Sequence, residues 1–442
     1  MGEPPGREFG RLFGFGVAAG LTPAMLRGAS AAERLYDIAP FGNVRLLHFT
    51  DCHAQLLPIY FREPSVNLGI GPARGKAPHL VGDALLKSFG IEAGSAEAHA
   101  FTYLGFSEAA AKFGKVGGFA HLASLVKKLR GEAGADSSLL LDGGDTWQGS
   151  GTALWSRGRD MVQTTNQLAV DVMTGHWEYT YHEKEIRENI AAFNGEFVAQ
   201  NVKVKEDALF DGAKAYDEDS GHAFKPYTIK TVGGRRIAVV GQSFPYTPIA
   251  NPQRFIPDWT FGINDDDMQA LVEEIRATEK PDAVILLSHN GMDVDLKLAS
   301  RVSGIDAILG GHTHDGVPQV SAVKNPGGQT LVGNSGSNGK FLSVLDLDVG
   351  KGGVKGYQYR LLPVFSNLLP ADGEMTALIE KIRAPHLGKL SEELTVADEL
   401  LYRRGNFNGT CDQVVCDALR EVGGAQIASG WKRQSRTASV AR

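Results

Sequence analysis

Cysteine is scarce. Cys52, Cys411 and Cys416 are the only three in 442 residues, too few for the disulfide framework of a small secreted scaffold. A Cys411–Cys416 bridge and a pair of ordinary core thiols both remain open. Basic residues do not outnumber acidic ones: the formal charge is −6, which gives no electrostatic footprint for nucleic acid. No apolar run is long enough to span a bilayer, and there is no internal repeat or low-complexity segment. What remains is the composition of a globular chain, 43% hydrophobic and 22% charged, with room for two or three domains.

The amino terminus carries the marks of an export signal over residues 1–32. Arg7 and Arg11 precede an apolar, glycine-rich stretch from Leu12 to Leu26, and the small residues Gly28 to Ala32 offer a cleavage site. The segment Gly6–Leu12 resembles a twin-arginine signal with Gly6 in place of the first arginine. A periplasmic location is the expectation; a plain leader is the alternative.

Five blocks carry the chemistry: TDCHAQ (50–55), GGDTWQ (143–148), GHWE (175–178), SHNG (288–291) and GGHTHD (310–315). Each follows a short apolar run of strand character. Together they supply Asp51, His53, Asp145, His176, His289, His312 and His314. Two carboxylates and five imidazoles without a thiolate suit a pair of transition-metal ions rather than a structural zinc. Such pairs activate water for hydrolysis. If the segment after the first strand stays extended, Asp51 and His53 share a face and Cys52 points away. A glycine-rich turn can let His312 and His314 diverge toward different ions. Asp145, after two glycines, can approach both.

Strand candidates at Val44–Phe49, Ser138–Leu141, Val170–Thr174, Phe197–Asn201, Ile237–Gly241, Ala283–Leu287, Ala307–Leu309, Leu331–Asn334 and Phe341–Val349 alternate with helical periodicity at Gly118–Arg130, Glu183–Phe193, Asp265–Thr278 and Asp293–Val302. That alternation predicts an α/β fold, with ligands beyond the carboxyl ends of the strands. A helix over Met375–Leu394 leads away from this region. Residues 55–111, rich in Pro and Gly, form a long insertion that either shapes access to the site or caps the domain.

In order, D-x-H, G-D, G-(N/H), H and G-H-x-H resemble the calcineurin-like metallophosphoesterases, in their 5′-nucleotidase branch. Longer blocks, among them QLLPIYFREPSVNLGIG (55–71), LLLDGGDTWQGSGTALW (139–155), FPYTPIANPQRFIPDWTFGI (244–263) and LYRRGNFNGT (401–410), resemble the SoxB thiosulfohydrolases of the Sox sulfur-oxidising system. The resemblance implies a four-layer sandwich over residues 42–365, with two β-sheets flanked by helices. A linker helix at 370–395 would follow, then a fragment (396–428) of an incomplete second α/β domain; the ending 429–442, polar, basic and without apolar periodicity, reads instead as a disordered tail.

It also implies hydrolysis of a cysteine S-thiosulfonate on the SoxYZ carrier, releasing sulfate by a metal-activated hydroxide, with two manganese ions as cofactors. Ligand chemistry alone equally admits iron or zinc. By the same resemblance Asp51, His53, Asp145 and His314 would hold one ion, and Asp145, His176, His289 and His312 the other. Nucleotidases carry Asn-His where this chain has His176-Trp177, so a phosphate-directed histidine is replaced by Trp177, which packs or walls the substrate. Arg404, in the cluster Arg403, Arg404, Asn406 and Asn408, either contacts the substrate anion, as the resemblance implies, or belongs to a solvated linker. Asn290 and Asp315 are expected to orient imidazoles, whereas His48, His79, His99, His121, His182, His222 and His386 have no ligand context. The alternatives are a periplasmic 5′-nucleotidase and a metal-binding remnant without turnover.

Overall fold

The computed structural model describes residues 33–60, 69–134, 136–398, 401 and 409–428. The export segment, Arg403, Arg404, Asn406, Asn408 and the tail 429–442 lie outside the described residues. The chain divides at Asp37–Ile38, and the second unit carries both sheets and the site.

In chain order the described strands are β1 (Val44–Phe49), β2 (Ser138–Asp142), β3 (Val172–Met173), β4 (Glu196–Phe197), β5 (Val202–Val204), β6 (Tyr227–Val232), β7 (Arg235–Gln242), β8 (Trp259–Phe261), β9 (Ala283–Ser288), β10 (Ala307–Gly310), β11 (Ser321–Asn325), β12 (Gly328–Asn334), β13 (Phe341–Gly350) and β14 (Gly353–Pro363). One six-stranded sheet runs β14-β13-β1-β2-β3-β4 and a second runs β11-β12-β10-β9-β7-β6; β5 and β8 pair separately. In the first sheet β1 to β4 are parallel, and in the second so are β12, β10, β9 and β7. Antiparallel strands close one edge of the first sheet, through β13 and β14, and both edges of the second, through β11 and β6.

The inner strands read as continuous apolar runs because both of their faces are covered. Val44 and Leu46 of β1 point between the sheets, where they pack with Ile237, Val239, Ile285, Leu287, Leu309 and Leu345. On the other face, Phe49 meets Phe119 edge-on at 6.4 Å, at the start of the helix Phe119–Ala133. The outer face of the second sheet packs Val240, Leu286 and Ile308 against Met268, Val272 and Leu298 from the helices Asp265–Thr278 and Met292–Arg301. The result is the expected four-layer α/β sandwich. Arg45 is an exception to the apolar rule, and its cost is met by a buried two-point ion pair to Asp346 of β13, Nε–Oδ1 2.7 Å and Nη2–Oδ2 2.8 Å.

Several expectations need correction. The strands expected at Val170–Thr174 and Phe197–Asn201 hold only two residues each, Val172–Met173 and Glu196–Phe197, and after the first the chain turns at once to His176. β6 and β14, not foreseen, are edge strands whose half-exposed residues blur the apolar signal. The helix expected over Met375–Leu394 breaks: Gly373–Arg383 gives way at Pro385 to a 3-10 turn and the short helix Leu387–Leu390. Its Met375 and Ile379 are buried, so this segment packs rather than hangs free. The insertion is helical at Gly82–Phe89, Ala96–Phe101 and Phe106–Phe113, and Phe101 stacks on Phe341 at 5.2 Å. Cys411 and Cys416 are free and half-exposed on the helix Thr410–Gly423, neither bridged nor in a core.

Candidate metal centre

The carboxyl ends of β1, β2, β3, β9 and β10 deliver the seven predicted donors to one buried locus. The chain past β1 is not extended there: Asp51, His53 and Ala54 have φ of 51°, 49° and 51°, the left-handed region. Asp145, His312 and His314 share that conformation, at 60°, 74° and 60°. Five of seven donors thus occupy backbone conformations that side-chain-bearing residues visit at a cost, a recurring mark of functional sites. Hydrogen bonds to the next loop sustain the turn: the amides of Asp51 and His53 donate to the carbonyls of Gly144 and Asp145, both at 2.9 Å. Gly311 is needed for closeness, since a Cβ there would sit 2.4 Å from Thr50 Oγ1 and 2.9 Å from both Asp51 Oδ2 and His289 Nδ1.

Two groups of donors result. Asp51, His53 and His314 converge in one, and His176, His289 and His312 in the other, while a third set, Asp51, Asp145 and His289, straddles them; donor atoms in each set lie within 4.8 Å of one another. His312 and His314 separate between the two groups, as the turn allows. Asp145 stands between them: Oδ1 lies 3.7 Å from His53 Nδ1, while Oδ2 lies 3.2 Å from His176 Nδ1 and 3.8 Å from His289 Nε2. Asp51 Oδ1 reaches His314 Nε2 at 3.4 Å and His289 Nε2 at 3.6 Å. The Nε2 atoms of His53 and His314 come within 3.0 Å.

These residues fit a pair of ions. Asp145 Oδ1, His176 Nε2 and His289 Nε2 are buried without a hydrogen-bond partner, which is costly for polar atoms unless another ligand satisfies them. His289 Nδ1 lies 2.6 Å from the Gly143 carbonyl, fixing the ring so that Nε2 faces the cluster. Burial, reinforced by neighbouring imidazoles, holds His176 and His312 well below the usual histidine range and so neutral, the form that binds metal. Burial alone would raise the Asp51 carboxyl, but His289, His314 and His53 outweigh it and hold the group well below the usual range. Asp145 is pushed up by burial despite His53 and His289. Burial also pushes the Cys52 thiol well up, keeping it protonated and out of the donor set.

One residue of this site was not legible in the sequence. Glu178, fully buried, accepts the backbone amides of Thr146 (2.7 Å) and Trp147 (3.0 Å) at Oε1, and those of His176 (2.7 Å) and Asp145 (3.2 Å) at Oε2. It ties the Asp145 loop to the His176 turn. Phe244 stacks on His312 at 4.0 Å and leans on His176 at 4.3 Å, forming an apolar wall; Trp177 adjoins His176 at 4.8 Å. Asn290 does not orient an imidazole as expected, because its side chain bonds Gln242 and Asp295. Asp315 Oδ2 accepts from Thr313 Oγ1 at 2.5 Å. Among the other histidines, His48 is buried with Nδ1 2.7 Å from Ser335 Oγ, and His99 lies among Phe106, Phe113 and Phe365.

Comparison with known proteins places this arrangement. No family model matches the chain. It is 28% identical to bovine 5′-nucleotidase over 333 residues, covering 69% of this chain and 55% of that protein. The chain thus spans about half the length of the curated relatives it matches. Its fold superposes on a Thermus thermophilus 5′-nucleotidase precursor with a TM-score of 0.64 at 22% identity, covering 87% of this chain and 68% of the other, a likeness of fold. With the sulfate thiohydrolase SoxB of Thermus thermophilus, solved in complex with glycerol, the TM-score is 0.79 at 37% identity, covering 88% of this chain and 69% of that one. The chain belongs to the SoxB family, within the 5′-nucleotidase branch of the calcineurin-like metallophosphoesterases.

Proposed function

We propose that this chain is a dimetal hydrolase that removes the terminal sulfonate from a cysteine-linked S-thiosulfonate on the SoxYZ carrier, releasing sulfate. The observation that carries the reading is the pairing of a two-group donor set, joined by Asp145, with an indole at Trp177. Ions bound there would lower the pKa of water and neutralise charge on the substrate oxygens. The chain's own residues supply the rest. Asp145 spans the two groups and fixes their separation. His176 and His312, kept neutral by burial, present nitrogen donors without carrying protons into the site, and His289 stands beside them.

Phe244 and Trp177 wall one side with apolar surface and exclude water there. An indole cannot shuttle a proton as an imidazole does. A persulfide sulfur is a good leaving group and needs less protonation than a sugar alkoxide, so Trp177 suits cleavage of a sulfur–sulfur bond better than cleavage of a phosphate ester. Manganese is the proposed metal, with oxygen and imidazole donors and no thiolate in support. A periplasmic setting is proposed from the leader. Among the described residues no helix is long and apolar enough to cross a membrane.

The test is sulfate release from thiosulfonate-loaded carrier by the manganese-loaded chain. Turnover lost on metal removal is expected. Turnover of AMP with none on the carrier would replace this reading with a nucleotidase, which the curated relatives favour.

A further inference from the structure

The second sheet places a carboxyl where no donor role accounts for it. Asp295 lies in the first turn of the helix Met292–Arg301 and is fully buried. Its Oδ1 accepts from Ser288 Oγ at 2.7 Å and from Asn290 Nδ2 at 3.1 Å, the two residues that flank His289. Asn290 Oδ1 in turn accepts from Gln242 Nε2 at 3.1 Å, and Gln242 Oε1 accepts from Gln200 Nε2 at 2.5 Å. The His289 amide donates to the Gln242 carbonyl at 2.8 Å. The loop after β9 is therefore held on both sides of its donor by one polar chain rooted in β7.

The other oxygen reaches the neighbouring strand. A Cβ on Gly310 would lie 2.5 Å from Asp295 Oδ2, so the carboxyl fills the space that glycine leaves. Gly310 ends β10, two residues before His312. Asp295 thus touches both elements of the second sheet that carry donors, while its hydrogen bonds go to neither imidazole.

We propose that Asp295 is a positioning residue for the metal centre: it locks the His289 loop against the end of β10 and so sets the spacing of His289 and His312. Deleting the carboxyl would strand a buried hydroxyl and a buried amide and open a void beside Gly310. Residues that support metal ligands from behind commonly change metal affinity by 10- to 100-fold. The effect should fall on the ion held by His176, His289 and His312 more than on the ion at Asp51, His53 and His314. Asparagine should replace Asp295 well, because it keeps the accepting oxygen at nearly the same volume. Burial also pushes the native carboxyl up to about 7, so the change in charge near neutrality is partial.

The inference rests on the metal-dependent part of the proposed function and not on its substrate. Its test is titration of the full chain with manganese(II), following both binding events by calorimetry and the spin-coupled pair by electron paramagnetic resonance. In Asp295→Ala one of the two binding events should lose on the order of 10- to 100-fold in affinity, the other much less, and the coupled signal should fall. Asp295→Asn should restore both. Wild-type affinities in a folded Asp295→Ala variant, or equal losses in the Ala and Asn variants, would overturn it. Should Asp295→Ala not fold, Ser288→Ala removes one of the same bonds from the other side, with a smaller loss expected and an unchanged titration again contradictory. A wild-type chain that binds no manganese would instead sink the metal-centre reading itself.

Discussion

The two sheets present their donors by different means. In the first, the loops after β2 and β3 are strung on Glu178, which collects four main-chain amides. In the second, the loop after β9 is gripped through the side chains of Ser288 and Asn290, both bonded to Asp295. The first device fixes backbone and is indifferent to which side chains the loop carries, so it can hold a residue as strained as Asp145 at φ 60°. The second depends on the identity of the residues beside the ligand. Tolerance to substitution should differ accordingly, with the first sheet vulnerable at one carboxylate and the second along a chain of polar groups.

The largest effect should come from Asp145→Ala, which removes the group shared by both halves. Metal analysis should show both ions weakened together, with turnover abolished; loss of a single ion would show that the halves are independent. Next come the unshared donors. His53→Ala should weaken mainly the ion at the Asp51 group, and His289→Ala mainly the ion at the His176 group, each read by stepwise manganese titration. Identical titrations for the two variants would erase the distinction between the halves.

Glu178→Gln is a subtler break, because an amide nitrogen would face backbone amides that already donate. A loss on the order of 10- to 100-fold in metal affinity is expected, with the fold retained by circular dichroism. The control is Arg45→Met in β1, which leaves Asp346 as an unpaired buried charge. It should cost about 3–5 kcal/mol of stability in urea unfolding, without changing the number of ions bound.

The smallest effect concerns pH and the seam between the sheets, where His48 of β1 meets Ser335 beyond β12. Burial lowers the His48 pKa from 6.5 to about 3, so the unfolded chain takes up its proton first as the solution is acidified. The stability His48 contributes is complete above about 6.5 and lost as pH falls toward about 3. His176 and His312 act in the same direction. Asp145 and Asp295, whose carboxyls burial raises, act the other way, so the His48 contribution is read as a difference. In the metal-free protein the urea midpoint of the wild type should fall further through this window than that of His48→Asn, and equal profiles would mean that burial does not keep this ring neutral.

The seven donors were legible because each is a titratable or coordinating side chain directly after an apolar run, and strand ends are where such sheets place ligands. Their local geometry was not. Alternation along an extended segment was the wrong reason for Asp51 and His53 to meet; a left-handed turn brings them together. Glu178 was hidden because it acts on amides some thirty residues earlier, and no spacing rule connects a side chain to distant backbone. Asp295 was hidden in the same way, since in sequence it reads as one more acidic residue at the start of a helix. β6 and β14 escaped because edge strands carry polar residues on their open side. The break at Pro385 is marked by the proline itself, although apolar periodicity continues across it.

The central claim is that the two sheets together hold one pair of ions through a shared carboxylate. The most direct measurement is the manganese content and spin coupling of the intact wild-type chain at saturation. Two ions per chain with an exchange-coupled signal is the result predicted. A single ion, or two without coupling, would contradict it.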